Sequence, residues 1–321
     1  TGCPGSWVCK VSDSLGRALT FGYTANRISQ ISDWSGRSWQ YSYDGNGDLQ
    51  PDGTGMPYLD IFSLPTAGES GGLASGTEQY YSVDYGNVHI VSLDSQVSAR
   101  DPEQRQAMKE WLIADLGAND RDWTIVIFHH PPYTKGANHD SDDTNGGLGV
   151  DQPEWDMRNE FTPVFEDYGV DLVYSGHSHS YERSYYLRGH TGTSDTFDPA
   201  THAELNGFGE PALGYGNDTY DQVSATSGGV DDRVVYTVAG SSGKADKGVR
   251  AGDVTLPEEW LRHAAHVPQP ADSSCTGEGL EGCRHGLAVK GSVVVDASCF
   301  ELTAKFVDAD GKVLDQFTIK R

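Results

Sequence analysis

Apolar positions along the chain fall into runs whose spacing separates strands from helices. The stretches "WTIVIFHH" (123–130), "DLVYS" (171–175) and "RVVYTVAGSSG" (233–243) open on continuous apolar runs, which suit strands buried on both faces. "DPEQRQAMKEWLIADLG" (101–117) instead carries Met108, Trp111, Leu112 and Leu116 at helical spacing. Asp101 stands at the N-cap, Pro102 at the first helical position, Gln104 three residues after the cap, and Gly117 at the stop. A second helix is predicted over about 154–168, with Trp155, Phe161, Val164, Phe165 and Tyr168 apolar and Gly169 ending it. "EQYYSVDYGNVHIVSLDS" (78–95) reads as two strands around a Gly86-Asn87 turn. The segment 286–320 reads as a closing antiparallel set, its clearest hairpin turning at Asp310-Gly311. A polar, glycine-rich excursion fills about 188–231. Strand, helix, strand, helix, strand in that order predicts an α/β core with parallel pairing.

The first 50 residues follow another rule. "DSLGRALTFGYTAN" (13–26) aligns with "DWSGRSWQYSYDGN" (33–46), an internal repeat of 20 residues. Asp13, Gly16, Arg17, Phe21, Tyr23 and Asn26 match Asp33, Gly36, Arg37, Tyr41, Tyr43 and Asn46. Alternating aromatics between Asn/Asp/Gly clusters predict a short β-meander over residues 1–50. "QPDGTGMP" (50–57) reads as the junction to a second domain, 56–321.

Composition narrows the partners. Lys+Arg is 23 and Asp+Glu 47, a formal net charge of −24, which argues against non-specific binding to nucleic acid or anionic membranes. A phosphate-handling site in such a chain needs its own local positive charge. No apolar run approaches the roughly 18 residues of a membrane span. The chain opens on Thr1 without an initiator Met, as expected of a processed or excised piece of something longer. Cys3 and Cys9, and Cys275 and Cys283, are spaced for local disulfides, leaving Cys299 odd; five free thiols are the alternative. Few lysines, abundant Gly/Ser/Asp/Thr and closely spaced cysteines point to a secreted or cell-surface protein.

Two histidine groups lie just past strand ends, the edge at which open α/β sheets bind ligands. The first is "FHHPPYTKGANHD", with His129, His130 and, after a loop, His139; the second is "SGHSHSYERS", with His177 and His179. Imidazoles suit zinc, iron or manganese. The acidic loop "HDSDDTNGGLGVD" (139–151) lacks calcium-site spacing and reads as solvated.

Together, "FHHPPY" and "GHSHSYERS" resemble the calcineurin-like metallophosphoesterases, and among them the purple acid phosphatase-like branch. The resemblance extends upstream through "EQYYSVDYGNVHIVSLDS" and downstream through "VVYTVAGSSG" to the closing strands, over about 56–321. It implies an α/β fold with a β-sandwich flanked by helices, and a metal-dependent phosphoric ester hydrolase. Carried over by motif, His129 and His177 are implied as ligands of one metal, His179 of a second, and His139, ten residues after His129, as the catalytic contact to substrate phosphate. His130 is implied to be supporting rather than ligating, Tyr133 to pack, and Glu182 and Arg183 to form an ion pair steadying the G-H-x-H loop. The 20-residue repeat (about 11–50) resembles the RHS/YD-type repeats of bacterial surface proteins.

The family's ordered series of D-x-D or D-x-H, then G-D-x-x-Y or G-D-x-x-D, then G-N-H-E or G-N-H-D is not present. In "YGNVHIV", His89 falls one residue late. The N-terminal βαβ units and their Asp/Asn ligands are thus expected to be missing. Two divalent ions about 4 Å apart repel by about 17 kcal/mol at an effective dielectric of 20. Anionic ligands normally offset that repulsion, and neutral imidazoles do not. The expectation is at most one divalent or trivalent ion (Fe, Zn or Mn), impaired hydrolysis of a phosphate ester, and self-association through an uncovered sheet edge. The alternative is a non-catalytic, degenerate or chimeric module with a binding or surface role.

Overall fold

The computed structural model describes residues 9–12, 14–24, 27–43, 49–50, 62–96, 99, 101–135, 139–142, 152–222, 233–245, 263–267 and 286–321. The chain divides into two compact units, residues 1–64 and 65–321.

In the first unit, β1 (Lys10–Ser12), β2 (Ala18–Thr24), β3 (Arg27–Asp33) and β4 (Ser38–Gln40) form an antiparallel meander in that order. The short strands β5 (Ser42–Tyr43) and β6 (Leu49–Gln50) pair separately. The repeat has a structural basis. Its two glycines, Gly16 and Gly36, both adopt positive φ (79° and 91°), which glycine tolerates and other residues resist. In the second copy the Asp33 carboxylate accepts from the backbone N–H of Ser35 and Arg37 and from the Arg37 guanidinium. Asp, Gly and Arg at this spacing therefore close one turn.

The second unit holds a seven-stranded sheet. Its strands are β7 (Tyr81–Tyr85), β8 (Val88–Ser92), β9 (Trp123–Ile127), β10 (Leu172–Ser175), β11 (Tyr181–Leu187), β13 (Val234–Ala239) and β14 (Gly286–Leu287). Its order is β14-β11-β13-β10-β9-β8-β7. The centre, β8, β9, β10 and β13, is parallel, as the apolar runs predict, and the flanking β7, β11 and β14 are antiparallel. A second sheet, ordered β12-β17-β16-β15, comprises β12 (Tyr220–Asp221), β15 (Gly291–Ala297), β16 (Glu301–Asp308) and β17 (Val313–Lys320).

Strand alternation sends neighbouring residues into different cores. Val126 and Val173 face the helical side, packing with Met108, Leu112, Phe161 and Phe165. Their chain neighbours Ile125 and Leu172 face the second sheet, packing with Leu302, Phe317 and Ile319. The unit is thus a mixed α/β fold in which one sheet is covered by another sheet on one face and by helices on the other.

Helix α1 (Pro102–Ala118) has the predicted cap, with Asp101 accepting from the N–H of Glu103 and Gln104. The predicted second helix is a composite: α2 (Gln152–Asp156), a π-helical turn (Met157–Phe161) and α3 (Thr162–Asp167). Pro163 explains the break. It has no N–H to donate to Asn159, and its ring crowds that carbonyl. The N–H of Thr162 reaches back to Met157 instead, while its hydroxyl donates to the Arg158 carbonyl.

Of the predicted disulfide cysteines, Cys9 is disulfide-bonded, while Cys3, Cys275 and Cys283 lie outside the described residues. Cys299 is a free, exposed thiol.

Candidate metal centre

The histidines gather because β9 and β10 are adjacent and parallel, so their C-terminal ends open on the same edge. Pairing continues past the strands: the N–H of Phe128 donates to the Tyr174 carbonyl, and the N–H of Gly176 to that of His129. That last bond sets His129 beside His177. His177 Nδ1 and His129 Nε2 are 3.1 Å apart, with ring centroids at 5.0 Å. His177 is the one described non-glycine residue at positive φ, 63°, a conformation of the kind that clusters at functional sites. The turn is also packed from β13. A Cβ placed on Gly240 would lie 2.0 Å from the Ser178 carbonyl oxygen, so only glycine fits there.

Two groups of donors converge, both using His177. His129, His130 and His177 form one, and His139, Glu154 and His177 the other; in each, the ligand atoms lie within 4.8 Å of one another. The His139 ring sits 3.7 Å from that of His177, centroid to centroid. His179 is in neither group, although its charge reaches His129. Partial burial, then the charges of His139 and His179, lower the pKa of His129 and favour the neutral imidazole that a cation requires. The donor chemistry fits a metal cation: three imidazole nitrogens in the first group, two imidazole nitrogens and a carboxylate in the second.

Support comes from Ser95, just beyond β8. Its hydroxyl accepts from the N–H of His129 and His130 and bonds His130 Nδ1 at 2.9 Å. His130 is buried, as a supporting residue would be, yet its ring also belongs to the first donor group. Tyr133 packs in the core, its hydroxyl donating to the His190 carbonyl.

The segment carrying His139 is tied down. Asp140 and Asp142 both bind Lys135, at 2.6 and 2.8 Å. Asp142 also pairs with buried Arg158 at 3.2 Å and takes two hydrogen bonds from Ser194. Burial works to raise the Asp142 pKa, but His263, Lys135 and Ser194 outweigh it and hold the carboxyl far below its usual range. The expected solvated loop is therefore pinned as far as Asp142; residues 143–151 lie outside the described ones.

Glu182 and Arg183 do not form the expected ion pair. They are consecutive on β11, so their side chains leave the sheet on opposite faces. Glu182 accepts from Ser180 (2.6 Å), Thr134 (2.8 Å) and the Lys135 N–H (3.1 Å), on the histidine side. Burial pushes its pKa up to about 7 despite those bonds. Arg183 faces the second sheet and pairs with Asp315 through Nε (2.7 Å) and Nη2 (3.1 Å), both partners fully buried.

His89 serves elsewhere. Its two ring nitrogens bond Asp84 (2.8 Å) and Asp115 (2.9 Å) in a buried network. Glu154 and Ser95 escaped the sequence reading. The signal for Glu154 was its spacing, since 154, 158, 161 and 165 share one buried helical face.

Residues 33–181 match the calcineurin-like phosphoesterase family. Among similar curated proteins, purple acid phosphatase 23 of Arabidopsis thaliana is 33% identical over 147 residues, covering 44% of this chain and 28% of that protein. An uncharacterized protein of Mycobacterium tuberculosis is 36% identical over 169 residues, covering 48% of this chain and 28% of that protein. The chain thus spans less than a third of either relative. Among solved structures, yellow lupin (Lupinus luteus) purple acid phosphatase PPD1 aligns at a TM-score of 0.46 and 18% identity, covering 76% of this chain and 33% of that one. Over residues 33–181 this chain is thus similar to the calcineurin-like phosphoesterases, with purple acid phosphatases among its sequence relatives.

Proposed function

We propose that this chain is a metal-dependent phosphoric ester hydrolase of the purple acid phosphatase-like type, binding one ion at most and impaired relative to a two-metal enzyme. The observation that carries this is the approach of His129 and His177 to 3.1 Å at the C-terminal edge of two parallel strands. A bound Fe, Zn or Mn ion supplies Lewis acidity toward a phosphoryl oxygen. His129 and His177 would hold it, with His179 close by. His139, set against His177, is placed to hydrogen-bond substrate phosphate or to give a proton to the leaving oxygen. In a chain of net charge −24, the ion held by this cluster would supply the local positive charge a phosphate ester needs.

A second reading is a non-catalytic module of binding or surface role. It is favoured by one observation: within these 321 residues the ordered Asp/Asn ligand series of the family is missing. Hydrolysis of an aryl phosphate with added zinc, manganese or iron, beside a His177→Ala control, separates the two. Metal-dependent turnover lost in the control supports the enzyme; no turnover with any metal supports the module. The bonded Cys9 agrees with an oxidising, secreted or cell-surface setting. No described helix is long and apolar enough to cross a membrane. The RHS-like repeat suggests a bacterial host, and the end strands β7 and β14 are the edges through which self-association would run.

A further inference from the structure

Glu154 is assigned no role by the motif that names the histidines. It lies in the first turn of α2, fully buried, and its carboxylate shares a donor group with His139 and His177. Carboxylates are almost never buried this completely unless paired with positive charge or a metal. A carboxylate oxygen lies within 4.8 Å of a ring nitrogen of each of the two imidazoles.

We propose that Glu154 is the carboxylate ligand of the bound cation, completing a two-histidine, one-glutamate set with His139 and His177, in which His139 ligates the ion in place of the phosphate contact given to it above and His129 stands outside the set. This rests on the reading that the histidine cluster binds a metal. Such a set is a common catalytic-zinc arrangement. Ligands of a tetrahedral zinc ion stand roughly 3.4 Å apart, given bonds of ~2.1 Å. The three atoms here are within 4.8 Å, so side-chain rotation of about an ångström brings them together. The site is well supported. Arg158, one helical turn after Glu154, is fixed by the Pro132 and Ser141 carbonyls and by Asp142, next to the segment that bears His139. Within this chain, carboxylate charge at the cluster thus comes from a helix. Among the described residues both donor groups draw on His177.

The test is a Co²⁺ titration of chelator-stripped protein, read by visible absorption and calorimetry, on the parent, Glu154→Gln and His129→Ala. At least a tenfold loss of Co²⁺ affinity in Glu154→Gln, with unchanged circular dichroism, is expected. Parent-like affinity in Glu154→Gln overturns the assignment. If His129→Ala abolishes binding in that same experiment, the metal-binding reading survives without Glu154. If the parent binds no Co²⁺, both fail. Should Glu154→Gln not fold, Glu154→Asp withdraws the carboxylate by one methylene and keeps its charge; a several-fold loss supports the assignment and unchanged affinity overturns it.

Discussion

Replacing Asp315 by asparagine should be among the most damaging single changes in the second unit. Arg183 and Asp315 are both fully buried and joined by two hydrogen bonds, at 2.7 and 3.1 Å. Arg183 also donates to the Leu213 carbonyl and the Tyr220 hydroxyl and lies over the Phe317 ring, while Tyr181 donates to Asp315 at 2.8 Å. With charge centres about 4 Å apart and an effective dielectric of 20, the attraction is about 4 kcal/mol. Asparagine keeps the shape but leaves the guanidinium buried without a counter-charge, and breaking such a pair costs about 3–5 kcal/mol. For a unit of this size that corresponds to a fall in Tm of roughly 6–20 °C. Urea unfolding followed by tryptophan fluorescence measures it. The double variant R183M/D315L, which removes both charges, should recover most of the loss, because apolar replacement of a buried pair is often close to neutral. The reasoning fails if D315N stays within about 1 kcal/mol of the parent.

Three further outcomes are expected. Glu182 has a folded-state pKa near 7, above its unfolded value, so its contribution is complete below about pH 4.5 and is lost as pH rises to about 7; the parent should lose on the order of 3 kcal/mol across that window relative to E182Q, and parallel stability curves would refute it. For His89, burial lowers the pKa but hydrogen bonds and charge from Asp115 and Asp84 outweigh it, giving a net rise. The stability it adds is full below about pH 6.5 and lost as pH climbs through the raised value, so H89Q should cost more at pH 6 than at pH 9 in urea titrations; the opposite trend would sink the idea. Gly240→Ala should push the Ser178 carbonyl and its histidine-bearing turn aside, costing about 1–3 kcal/mol and weakening Co²⁺ binding, whereas Gly207→Ala, whose added Cβ meets nothing within 4 Å, should do neither; equal behaviour of the two would count against the packing argument.

Much of the site could be read before any coordinates. His129 and His177 sit in short motifs beside apolar runs, and parallel neighbouring strands bring such ends together. The ring of His139, singled out by its motif spacing, lies 3.7 Å from that of His177, centroid to centroid. Adjacency in sequence misled for Glu182 and Arg183, because the two-residue period of a strand divides neighbours between faces. Glu154 was missed because an acidic residue on an apolar helical face looks like an exception to the pattern rather than part of a site.

The sequence by itself determined the elements: three apolar runs, a capped helix at Asp101, and a repeat whose glycines both adopt positive φ. These follow from local sterics, capping and periodicity, which a short window contains. Only the tertiary structure decided the partners. Arg183 finds Asp315 across 132 positions, and Glu154 joins His139 and His177 from a separate helix. Such pairings depend on how two sheets and a helical layer stack, and burial acts on the assembled layers rather than on any window of the chain.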